Sequence, residues 1–75
     1  MITLSVNVQW DDDAGVWIAT SEDIIGLCIQ ADTFDELIDV ANQFAPELLE
    51  LNKVAVDKPF SLRFITERTT VVQAI

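Results

Sequence analysis

The stretch Ile2-Thr3-Leu4-Ser5-Val6-Asn7-Val8-Gln9-Trp10 alternates without a fault, apolar at every even position and polar at every odd one. Successive side chains of an extended chain point to opposite faces, so this period of two specifies a strand with one face for a core and one for water. Asp11-Asp12-Asp13-Ala14-Gly15 then joins turn-forming carboxylates to a glycine able to take a positive φ. Val16-Trp17-Ile18-Ala19-Thr20 resumes with β-branched and aromatic residues, and the two runs together predict a hairpin. Ser21-Glu22-Asp23 breaks the second strand, Gly26 punctuates again, and Leu27-Cys28-Ile29-Gln30 reads as a short third strand. A three-stranded meander is expected.

The period changes after Ala31. Thr33 with Glu36 three residues later forms a capping box, and Asp32, Asp35 and Glu36 set negative charge at the positive end of a helix dipole. Phe34, Leu37, Ile38, Ala41, Phe44, Ala45, Leu48 and Leu49 recur at spacings of three and four, while Asp35, Asp39, Asn42, Gln43, Glu47 and Glu50 point away. The spacing predicts an amphipathic helix laid on the sheet. Pro46 lacks an N–H and inside a helix costs on the order of 3 kcal/mol, so a kink or restart is expected near residue 45.

Phe60-Ser61-Leu62-Arg63-Phe64 alternates once more as a strand, with Glu67-Arg68 as its end or an exposed turn. Thr70-Val71-Val72 is β-prone and can extend the sheet, exchange onto a partner or pack; the pattern leaves these open. The order β-β-β-α-β predicts one α+β domain over residues 1–75, an antiparallel sheet with the helix on one face. At 75 residues the chain holds a single core, and so small a core makes a homo-oligomer, dimer or higher, a natural source of added stability.

Four Lys and Arg stand against thirteen Asp and Glu, a net charge of −9. Phosphate binding needs clustered cations, and Lys53, Lys58, Arg63 and Arg68 are few and scattered, so direct nucleic-acid binding is disfavoured. An acidic surface fits a basic protein partner, with the main gain in association rate and orientation, though acidity also serves plain solubility. Cys28 is the single cysteine, so no internal disulfide forms; the N-terminus has no leader pattern, and a cytoplasmic location is expected. No apolar run approaches the ~20 residues needed to span a bilayer.

The sequence carries little that could do chemistry. It has no His and no Tyr, no Gly-rich phosphate loop and no metal-spaced Cys/His set, so neither a cofactor nor catalysis is expected. Cys28, in an apolar run, reads as a core thiol. Asp11, Asp12 and Asp13 are the one constellation able in principle to hold Mg²⁺ or Ca²⁺, as in a metal-dependent hydrolase. Consecutive side chains in a turn diverge, however, and a solvated hairpin tip is the expectation. Trp10 and Trp17 flank that tip and are expected to pack across the hairpin.

Taken together, the segments 10–20, Asp23-Ile24-Ile25-Gly26-Leu27 and Ala31-Asp32-Thr33-Phe34-Asp35-Glu36-Leu37 resemble the N-terminal domain of HicB-like antitoxins, and within them the short DUF1902-type proteins. The resemblance spans roughly residues 4–52, with Ala45-Pro46-Glu47-Leu48-Leu49-Glu50-Leu51-Asn52 similar to the end of the DUF1902 helix. It departs from the family at Ile25, where Pro is frequent, and at Ala31, where Gly is frequent. The resemblance implies a partial ribonuclease-H-like fold that oligomerises and covers the active surface of a small basic ribonuclease toxin. The ribonuclease-H likeness points towards catalysis, but that chemistry needs carboxylates converging from separate strands on metal ions, and the core-facing strand positions here are apolar, so no catalysis is expected. No C-terminal DNA-binding domain is expected. On this reading the partner-binding residues are Asp35, Asp39, Glu47 and Glu50 on the helix and Asp11, Asp12 and Asp13 at the hairpin tip. The alternative is a stand-alone structural or regulatory oligomer that binds another protein or a small molecule.

Overall fold

The computed structural model describes residues 1–74. Its elements are β1 (Thr3–Asp11), β2 (Val16–Thr20), β3 (Cys28–Ala31), α1 (Phe34–Leu51) and β4 (Ser61–Glu67), the expected α+β order. They form one four-stranded sheet in the order β3-β2-β1-β4 with α1 on one face.

The β1 alternation fixes which face is covered. Val6 and Val8 are buried beneath the helix, level with Ala19 on β2 and Phe64 on β4, while Asn7 and Gln9 lie exposed on the other face. The hairpin register sets Trp10 opposite Trp17, their rings edge-on with centroids 5.1 Å apart. Trp17 in turn meets Phe34 at 5.3 Å, which anchors the start of α1 at the hairpin end of the sheet.

Three strands are antiparallel as expected, but β4 corrects the all-antiparallel sheet: it pairs parallel to β1, Thr3 opposite Ser61 through Gln9 opposite Glu67. The cause is the helix. β3 runs toward the hairpin end, α1 starts there and carries the chain back over the full sheet length, so β4 must set out in the direction of β1. A parallel neighbour always needs such a crossover.

Leu37, Ala41, Ala45 and Leu49, four residues apart, are the buried line of α1. The two alanines at its centre let the helix backbone approach the sheet, and each large side chain buried there contributes roughly 1.5–3 kcal/mol. Thr33 caps the start, its Oγ1 accepting from the Glu36 N–H at 3.1 Å. The expected restart at residue 45 does not occur: α1 runs unbroken from Phe34 to Leu51 with Pro46 inside. The ring removes only the bond to the Asn42 carbonyl, and Asn42 is exposed, so water can satisfy that oxygen.

The helix ends with Lys53 at φ 58°, its N–H donating to the Glu50 carbonyl at 3.0 Å and that of Val54 to Leu49 at 2.9 Å. This is a glycine position held by a lysine. Lys53→Gly should relieve the left-handed cost and raise stability by about 1 kcal/mol, seen as a higher urea midpoint. An unchanged or lower midpoint would contradict that account.

The 21–27 loop is fastened to β1 where β2 has stopped. Ser21 Oγ donates to the Ser5 carbonyl at 2.6 Å and accepts from the Asp23 and Ile24 N–H groups, and Asp23 Oδ2 accepts from the Ser5 N–H at 2.7 Å. Two side chains thus replace the missing strand, and Ile24 is held at 0% exposure in the core.

Candidate functional site

The acidic residues predicted for partner binding fall into two groups with different local roles. At the hairpin tip, Asp11 is occupied by the turn itself: its Oδ1 accepts from the Asp13 and Ala14 N–H groups at 3.0 and 3.2 Å, and its carbonyl from the Gly15 N–H at 2.7 Å. Gly15 closes the turn at φ 68°. Asp12 Oδ1 accepts from the Trp10 indole N–H, which pins that ring. Asp13 is exposed at the apex. The three carboxylates therefore diverge, and among the described residues no group of three or more His, Cys, Asp or Glu is placed to hold a metal ion.

On α1, Asp35, Glu36, Asp39, Glu47 and Glu50 are all exposed, turned away from the buried line. From Asp35 to Glu50 they extend about 22 Å along the helix. Because Phe34 packs on Trp17, the Asp35 end of this ridge lies at the same end of the molecule as the hairpin tip. Glu47 and Glu50 are at the opposite end.

The placement of those two glutamates runs against local stability. The last turn of α1 contains no basic residue, although a helix C-terminus favours cations. Glu50→Lys should therefore raise the unfolding midpoint by the equivalent of about 0.5 kcal/mol, a gain that salt would diminish. A lowered midpoint would mean that Glu50 supports the fold instead.

No charged or polar side chain is buried among the described residues, so the carboxylates all lie at the surface. Their distribution is uneven: residues 1–57 hold twelve of the thirteen acids and only Lys53, a net of −11, whereas Lys58, Arg63 and Arg68 against Glu67 leave 58–75 at +2. The cations stay apart in the fold: Arg63 lies near the start of β4 on the face away from the helix, and Arg68 follows the end of that strand. Arg68 sits over the Trp10 ring, 4.3 Å from its centroid.

The concave features are shallow. Two adjoining grooves of about 260 and 370 Å³ share Pro46, Lys58 and Phe60, where the 54–60 segment passes α1. Neither converges polar groups on a point as a small-molecule site does. Cys28 overturns its reading as a core thiol: Leu27 and Ile29 are buried, and alternation turns Cys28 outward on the edge strand β3.

Architecture and surface together define a small α+β domain, open-sheeted, with an acidic ridge on its helix. The chain belongs to the family described as Domain of unknown function (DUF1902), whose model matches residues 3–74. It is similar to the hypothetical protein TTHA1013 from the extremely thermophilic bacterium Thermus thermophilus, with a TM-score of 0.83 and 44% identity, over 93% of this chain and 99% of that one. No curated protein matches the chain. Among the described residues, no helix is long and apolar enough to cross a membrane.

Proposed function

We propose that this protein is a non-catalytic protein-binding module that docks a small basic protein on the acidic ridge of α1, antitoxin-like, and so neutralises a ribonuclease toxin. The observation that carries the reading is the concentration of charge: a net −11 within residues 1–57, with five of those carboxylates exposed along α1 and no basic residue in its last turn. Departures from local stability rules are commonly found where a surface serves binding. A basic ribonuclease presents a cationic RNA-binding surface, and the carboxylates spread over about 22 Å of α1 are complementary to it in charge.

The test begins with capture on the tagged protein from its native cytoplasm at low salt. A basic protein of similar mass that releases as salt rises, and whose RNA cleavage stops on adding one equivalent of this protein, would support the proposal. Should nothing basic be captured, or the captured protein cleave RNA equally well with this chain present, the proposal fails.

A further inference from the structure

We propose that residues 69–74 of one copy add as a strand to the free edge of β4 in a second copy, and that the reciprocal exchange makes a twofold dimer. This rests on the β4 side of the molecule and is independent of what the acidic ridge binds.

Two unpartnered features of the same chain fit each other. Among the described residues the order β3-β2-β1-β4 leaves the outer side of β4 without a neighbour, so seven residues of strand present an unpaired edge. Directly after it, Thr69-Thr70-Val71-Val72-Gln73-Ala74 is β-prone and exposed throughout, with Val71 and Val72 each 88% exposed. The segment projects from the body: the molecule measures 55 × 22 × 19 Å, and its radius of gyration of 14.4 Å exceeds the ~11 Å of a compact chain of this length.

The tail does not fold back on its own edge. That would take a reversal immediately after β4, and Glu67-Arg68-Thr69-Thr70 offers no Gly, Pro, Asn or Asp to make one. Arg68 is meanwhile held over Trp10, which directs the chain outward past the hairpin end. In a second copy, an antiparallel approach places each tail beside the other β4, with the axis near Arg68. The 69–74 segment matches the length of β4, whereas β3, the other free edge, has four residues.

Charge selects the same side. Two copies at −9 repel one another over most of their surfaces, but β4 and the tail, residues 61–74, carry only Arg63, Glu67 and Arg68, a net of +1, so this is where like molecules meet with least opposition. The occupant is therefore a second copy of this chain.

Sedimentation of the full chain over a range of concentrations should show a mass twice 8.4 kDa, falling to 8.4 kDa on dilution. The double variant Val71→Asp/Val72→Asp should stay at the single mass with an unchanged circular dichroism spectrum, because these side chains take no part in the core. Ile25→Lys, in the exposed loop before β3, should leave the doubling intact. Amides of 69–74 should exchange slowly in the dimer and fast after dilution. A wild-type protein of single mass at every concentration overturns the proposal. So does a doubled mass that survives in the tail variant or disappears with Ile25→Lys, or amide protection that does not change with concentration, which would place the tail on its own sheet.

Discussion

Ile24→Ala is expected to lower stability by about 2–5 kcal/mol, close to everything that so small a core supplies. Ile24 belongs to no strand or helix, yet it is fully buried in the cluster with Val6, Val8 and Leu37. Truncation removes apolar contact and leaves a cavity whose lining cannot close in, since Ser21 and Asp23 fasten the loop to Ser5 on one side. On the other, Asn52 Nδ2 donates to the Ile25 carbonyl at 2.8 Å. The neighbouring residue is an internal control: Ile25 has the same side chain at 70% exposure, and Ile25→Ala should stay within about 0.5 kcal/mol of wild type. Urea unfolding followed by the fluorescence of Trp10 and Trp17 reads both. Equal midpoints for the two variants would show that the loop does not insert as described.

The triple reversal Asp35→Lys, Asp39→Lys and Glu47→Lys should slow association with a basic partner at low salt by at least about tenfold. Each exchange adds two charges, so the net charge moves from −9 to −3, and all three changes fall on the ridge. Steering by a charged surface acts mainly on the on-rate and fades as salt shortens the screening length, so wild type and variant should converge near 1 M salt, where that length is ~3 Å. Folding is not the limiting issue: Asp35→Lys forfeits a favourable charge in the first turn of α1, while Glu47→Lys moves the far end toward what the dipole favours. An on-rate unchanged at low salt would remove this ridge from the interface, even with a partner in hand.

Much of the fold was legible because its signals are local and repeated. The run Ile2–Trp10 names every residue of β1 that lies under the helix, and Thr33 with Glu36 locates the start of α1 to the residue. What could not be read depends on neighbours distant in the chain. The direction of β4 is set by where α1 delivers it, which no property of residues 60–67 encodes. Cys28 looked buried because a run of three apolar residues hides its own alternation, and Phe44 belongs to the apolar stripe of α1 yet is 45% exposed beside β3. The acidic residues were identifiable by type, but that Asp11 is committed to its turn is a property of the folded hairpin, which the run Asp11-Asp12-Asp13 does not distinguish among its members.

The parallel pairing of β1 with β4 also bears on how the protein comes into being. Residues 3–9 of β1 each meet a partner 58 positions further along, so β1 stays without that neighbour until β4 has been synthesised. During that interval the hairpin and α1 can form from contacts near in sequence, but one side of β1 stays bare. Long-range closure of this kind slows folding and exposes a sticky edge meanwhile. The nascent chain therefore has its greatest need of chaperone protection along the open side of β1, in the interval before β4 emerges.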